Sequence, residues 1–166
     1  MNPSIRLRSA THADLPAILA IHNDAIANSL AIWTSTPASL ESRAALMESR
    51  HLAGYPFLAA TRQDELVGYA SFGAFRTGDG YSRTVEHSIY VRGDARGHGI
   101  GAMLLNALIE EAKTRDIHVM IGGIEAGNSA SLALHARLGF AEVGRLPQTG
   151  RKFGRWLDLV LMQKIL

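Results

Sequence analysis

The stretch "VRGDARGHGIGAMLLNALIEEA", Val91 to Ala112, sets Gly97, Gly99 and Gly101 at alternate positions behind Arg96 and runs straight into an apolar helical pattern. Ile100, Met103, Leu104, Ala107 and Leu108 fall on one face of a helix from about Gly99 to Arg115, with Glu110, Glu111 and Lys113 turned away. The strand-like "YSRTVEHSIYV" feeds the glycines. Unpaired backbone N–H groups and partial positive charge gather at a helix N-terminus, and glycines let a ligand approach them closely. A strand, a glycine turn and a helix therefore suit a phosphate group. A merely tight turn explains the glycines as well, and spacing alone leaves both readings open. Two phosphate cradles are excluded. A P-loop needs Lys and Ser/Thr after its last glycine, where Ala102 and Met103 stand. The dinucleotide fingerprint needs Gly-x-Gly-x-x-Gly early in a parallel set.

Outward from this turn, "SIRLRSA" alternates as a first strand and "THADLPAILAIHNDAIAN" follows as a helix. Thr11 with Asp14 forms a capping-box pair, while Pro16 prefers Asp14 as the cap. "IWTSTP" is irregular, and Pro37 and Ser39 open a second helix reaching about Leu52. "YPFLAATRQDELVGYASFGAF" reads as two strands around a turn at Gln63–Asp64. "HVMIGGIEA" is a buried strand, and "NSASLALHARLG" is a helix opened by Asn128 and stopped by Gly139. "FAEVGRL" and "RWLDLVLMQKIL" close the chain as strands. Tight turns imply antiparallel pairs, and the helix between "VEHSIYV" and "HVMIGGI" implies one parallel crossover. The expected fold class is α/β: a mixed, mostly antiparallel sheet with helices on both faces, in one domain over residues 1–166.

Composition narrows the function classes. A chain of 166 residues with 47% hydrophobic and 19% charged residues has an ordinary globular balance. A net charge of +2, without clustering, argues against nucleic-acid binding. No apolar run is long enough to span a membrane. The stretch "MNPSIRLRSATHADL" lacks the apolar centre of a signal peptide, so a cytoplasmic location is expected. The absence of cysteine removes disulfides, thiolate metal sites and cysteine nucleophiles. His12, His22, His51, His98 and His118 show no ligand spacing, and no metal is expected.

"RGHGIG" (Arg96–Gly101) resembles the Arg/Gln-x-x-Gly-x-Gly/Ala motif of the GCN5-related N-acetyltransferases, and "NSASLALHARLGF" (Asn128–Phe140) resembles their second motif, Asn-x-x-Ser-x-x-Leu-(Tyr)-x-x-x-Gly-Phe. The segments "AIHNDAI", "AIWTSTP", "GYASFGAFR", "TVEHSIYV" and "KFGRWLDL" extend the resemblance to the phosphinothricin and methionine sulfoximine acetyltransferase subgroup. The resemblance implies acetyl-CoA as co-substrate, a small amino-acid analogue acetylated at its α-amino group, a homodimer, and detoxification as the purpose. It places the coenzyme on Ile89, Tyr90, Val91, Arg96, Gly97, His98, Gly99, Ile100, Gly101 and Asn128, with His98 contributing its backbone more than its ring. Asn128 also suits a helix cap.

Acyl transfer needs a neutral amine, and an α-amine with a pKa of about 7.7–8.0 arrives largely protonated. Glu86, in an otherwise apolar strand, is the candidate base, against a plain solvent-facing glutamate. His87 should face the opposite side unless a bulge intervenes. His135 stands where relatives carry the tyrosine assigned as acid to the leaving thiolate; it either takes that role or packs against the helix. The resemblance sets Arg76, Thr77 and Gly78, then Arg83, in the substrate loop. Arginine is suited to a carboxylate. Glu86, His87, Ser88 and Trp33 complete the expected acceptor site. Two other readings stay open: an acyl-CoA-binding regulator without catalysis, and a protein N-terminal acetyltransferase with an open peptide groove. The expected transfer is direct, within a ternary complex, and without cysteine no acyl-cysteine intermediate can form.

Overall fold

A computed structural model describes residues 4–166; Met1–Pro3, which open the stretch read for a signal peptide, lie outside it. Seven strands and four helices follow in the order β1 (Ile5–Ser9), α1 (Leu15–Asn28), α2 (Leu40–Leu52), β2 (Phe57–Arg62), β3 (Glu65–Ala74), β4 (Thr84–Val91), α3 (Ile100–Thr114), β5 (Val119–Glu125), α4 (Ser129–Arg137), β6 (Ala141–Lys152) and β7 (Arg155–Ile165). They form one sheet in the order β1-β2-β3-β4-β5-β7-β6. Every pair is antiparallel except β4 with β5, the expected crossover.

Strand alternation sorts the core into two layers. On one face Leu58, Ala60, Val67, Ala70 and Phe72 pack against Leu104, Leu105 and Leu108 of α3. On the other Phe57, Ala59, Leu66 and Tyr69 pack against Leu15, Ile18 and Ile21 of α1 and Met47 of α2. Each of the leucine, isoleucine, valine, methionine and phenylalanine side chains contributes about 1.5–3 kcal/mol by leaving water. The buried stripe of α3 is Ile100, Leu104, Leu105, Leu108, Ile109 and Ala112. Met103, expected inside, is exposed, because the buried stripe runs along Leu104, Leu105, Leu108 and Ile109 and leaves it at the edge.

Local rules explain most boundaries. The competing starts of α1 are both realised: a short 3₁₀ turn, His12–Asp14, precedes Leu15, with the Thr11 N–H donating to Asp14 Oδ2 at 2.7 Å and Pro16 in the first α-turn. Ser39 caps α2 by accepting from the Ser42 N–H at 3.1 Å. Gln63 and Asp64 both take positive φ (51° and 64°), the backbone of a two-residue hairpin. Strand β6 runs past the expected end at Leu146 to Lys152, with a break in register between Leu146 and Gly150. Pro147 falls in that unpaired break, where a residue without an N–H costs no ladder hydrogen bond.

Lys152, at the β6–β7 turn, is 3% exposed and donates through Nζ to the carbonyls of Ile26 (2.5 Å), Ser29 (2.7 Å) and Ile32 (2.7 Å). The ammonium thus satisfies the C-terminal carbonyls of α1 and ties down the segment that carries Trp33. Lys152→Met strands those carbonyls and should lower stability on the order of 3 kcal/mol, read from the urea midpoint.

Candidate active site

Strands β4 and β5 pair only where Thr84–Glu86 meets Val119–Ile121. Beyond that point β4 stays with β3 and β5 with β7, so the sheet opens like a wedge. A cavity of about 800 Å³ fills the wedge, lined by Ile89 and Val91 of β4, Arg96 to Gly101 except His98, and Asn128, Leu134 and His135 around α4. A second, of about 400 Å³, lies on the α1/α2 side and is lined by Ile32, Trp33, Arg50, Ala74, Glu86 and Leu159. His87, Ser88, Tyr90, Gly123 and Glu125 border both, so a group in one cavity can meet a group in the other.

The glycine turn has the conformation an anion cradle needs. Gly97 (φ 79°) and Gly99 (φ 77°) are left-handed, and nothing stands where their Cβ atoms would be. A ligand can therefore reach the first N–H groups of α3. Gly101 is different: it is helical, and its Cβ would sit 3.3 Å from Leu134 Cδ2. Arg96 braces the turn by donating from Nε to the Val91 carbonyl at 3.1 Å. His98 turns its ring back onto the Arg96 carbonyl, 2.8 Å from Nδ1, and does not line the cavity. Asn128 caps α4, its Oδ1 accepting from the Ser131 N–H at 3.1 Å, and also lines the cavity.

Glu86 points into the second cavity. It is accessible from that space, while the surrounding walls withdraw its carboxyl from bulk water and push its pKa above the ordinary carboxylate value. The bulge that would bring His87 to the same face is missing, since β3 and β4 keep unbroken register from Gly68–Val91 to Ala74–Val85. His87 instead faces α4, where its Nε2 lies 3.1 Å from His135 Nε2 and the rings stack at 5.0 Å.

That contact settles the tautomers. His135 Nδ1 lies 2.7 Å from the Ser131 carbonyl and must carry the proton. Neutral His135 therefore accepts at Nε2, and His87 donates from its own Nε2. Burial and the neighbouring His135 push His87 down to about 3, and burial lowers His135 too, so both are neutral near pH 7. In this state His135 has no proton at Nε2 to give a leaving thiolate; it positions His87, with Phe140 edge-on to both rings.

Four expected acceptor residues stand apart. Arg76, Thr77, Gly78 and Arg83 line neither cavity. Arg76 lies over its neighbour Phe75, and Arg83 pairs with Asp116 at 2.7 Å at the surface. Trp33 does line the second cavity, its Nε1 donating to the Leu30 carbonyl at 2.9 Å and its ring lying on Gly150, where a Cβ would collide with it.

Three residues escaped the sequence reading. Gly122 and Gly123 looked like ordinary strand residues. A Cβ at Gly122 would come within 2.9 Å of His87 Nε2, and one at Gly123 within 3.2 Å of Glu86 Oε1. Adjacent glycines inside an apolar strand were the available signal. Arg50, at the end of α2, carried none.

Comparison with known proteins agrees with this geometry. A sequence model of the Acetyltransferase (GNAT) family matches residues 19–140. The L-methionine sulfoximine/L-methionine sulfone acetyltransferase of Pseudomonas aeruginosa is 53% identical over 161 residues, covering 96% of this chain and 94% of that protein. The solved structure of a ribosomal-protein-alanine N-acetyltransferase from Brucella melitensis superposes with a TM-score of 0.95 at 56% identity, covering 97% of this chain and 99% of the other. A phosphinothricin acetyltransferase from Sinorhizobium meliloti in complex with AcCoA gives a TM-score of 0.95 at 37% identity, over 100% and 89%. A wedge opening onto a glycine cradle, a carboxylate across the gap and a family match over most of the chain lead to one conclusion: the protein belongs to the GNAT acetyltransferase family.

Proposed function

We propose that the chain is one N-acetyltransferase domain that transfers the acetyl group of acetyl-CoA to the α-amine of a small amino-acid analogue of the methionine sulfoximine, methionine sulfone or phosphinothricin type. The observation that carries this reading is the pair of cavities meeting at the β4–β5 wedge, one with an anion cradle and the other with Glu86. The coenzyme's pyrophosphate would sit on Gly97 and Gly99, and its pantetheine arm along the unpaired edge of β4 from His87 to Val91. Glu86 accepts the ammonium proton. The freed lone pair attacks the thioester carbonyl; the C–N bond forms, the C–S bond breaks, and the second proton that the nitrogen loses passes to the coenzyme thiolate. A compact acceptor space walled by Trp33 and Leu159 suits a small molecule, and relatives of matching length act on such compounds. Acetylation of the α-amine would detoxify these analogues in the cytoplasm. Exposed Val143, Leu146, Phe153 and Trp156 on the β6–β7 hairpin leave apolar surface for the second subunit of a homodimer.

The Brucella relative supports a second reading, acetylation of a protein N-terminus. Both are tested by following free thiol released from acetyl-CoA over a panel of amines; with no cysteine in the chain, the reagent sees only coenzyme A. The expected result is turnover of L-methionine sulfoximine, its sulfone or phosphinothricin well above that of polyamines and alanine-initiated peptides. Preference for the peptides would install the second reading, and no thiol release with any amine would leave a binding module.

A further inference from the structure

Arg50 has no visible occupation. It lies in the last turn of α2, and its Nε is enclosed by protein without a hydrogen-bond partner. Among the described residues it makes no ion pair. Its guanidinium lies on the backbone of Gly73, where a Cβ would collide with it, so a glycine one residue from the end of β3 makes the room. Gly73 is the register partner of Glu86. An arginine and a glutamate therefore line one small cavity from adjoining positions, without bonding each other.

An unpaired guanidinium withdrawn from water is costly, and a planar fork of donors matches a carboxylate. An α-amino acid carries an ammonium and a carboxylate on one carbon, which is the same opposition of charge with the signs reversed. We propose that Arg50 receives the α-carboxylate of the acceptor while Glu86 faces its amine, so that this pair selects α-amino acids and turns the amine toward the wedge. The assignment rests on the amino-acid reading of the acceptor and replaces Arg76 in the carboxylate role. Trp33, Tyr90 and Leu159 are then left to enclose the side chain.

The test compares kcat/KM for L-methionine sulfoximine and for its carboxamide, which keeps the amine and side chain but loses the negative charge. Wild type should prefer the acid by about 10- to 100-fold, the range of a charge-assisted bond. Arg50→Gln should abolish that preference through KM for the acid, leave KM for the carboxamide within a few-fold, and leave acetyl-CoA affinity at the wild-type value, which also reports that the variant is folded. Arg50→Lys, with the charge but not the fork, should keep part of the preference, and Arg76→Ala all of it. Absence of preference in the wild type, a measurement that needs no variant, would overturn the assignment. So would a preference that survives Arg50→Gln, or one that disappears in Arg76→Ala instead. Wild type that turns over no α-amino acid would instead remove the acceptor reading, and this assignment with it.

Discussion

Glu86→Gln lowers kcat by about 10²–10⁴-fold, the usual contribution of a general base, and leaves acetyl-CoA affinity unchanged. Glutamine keeps the size and hydrogen-bonding reach of the side chain but cannot take a proton. The affinity is preserved because Glu86 lies in the cavity opposite the glycine cradle. The pH dependence separates a base from a mere positioning group. Only the carboxylate accepts a proton, so wild-type activity falls as pH drops through a Glu86 pKa that burial has raised above the ordinary value. The amine itself titrates near pH 7.7–8.0 for an ordinary α-amine, and Glu86 lets the wild type use its protonated form. The variant loses the Glu86 limb and can use only amine that arrives neutral, so its rate climbs through the amine pKa and its deficit shrinks as pH rises. The measurement is a pH–rate profile of both proteins with one acceptor at saturating acetyl-CoA. A constant ratio of rates from about pH 6 to 9.5, which brackets the amine pKa, would show that Glu86 only positions the amine.

Gly99→Val raises the acetyl-CoA KM by about 10²-fold, combining left-handed strain of about 1–2 kcal/mol with the loss of a charge-assisted N–H contact worth a similar amount or more. Gly99 has φ 77°, which a β-branched residue resists, and the new side chain would enter the space left open in the cradle. Gly101→Ala is the informative partner. Gly101 is already helical, and its added Cβ meets only the flexible end of Leu134 at 3.3 Å, so KM should change no more than a few-fold. Direct binding of acetyl-CoA measured by calorimetry checks both. Equal, small effects at the two positions would mean that the turn does not hold the pyrophosphate.

The sequence by itself determined what local physics controls. The glycine turn before α3, the Ser39 and Asn128 caps and the hairpin at Gln63–Asp64 follow from backbone preferences spanning a few residues. The alternation along β2 and β3 and the helix between β4 and β5 already implied two packed faces and a parallel crossover. Glu86 and Trp33 stood out only through the family resemblance: by its own context Glu86 reads as a solvent-facing strand glutamate and Trp33 as an aromatic in an irregular segment. Strand periodicity also set Glu86 and His87 on opposite faces; expecting a bulge would have undone a correct inference.

Tertiary structure alone decided the rest, because it depends on groups far apart in the chain that carry no local mark. Arg50 looks like any arginine near the end of a helix until β3 places Gly73 beneath it, 23 positions on. His87 acquires its tautomer from His135, 48 residues away, through a contact that exists only where Gly122 leaves room. Arg76 follows its strand so closely that sequence keeps it near the site, yet its guanidinium lies over Phe75, outside both cavities. Local sequence sets φ, ψ and which face is apolar. Where a long charged side chain comes to rest is set by the space that other elements leave for it, and in this protein three glycines on two strands, Gly73, Gly122 and Gly123, define that space.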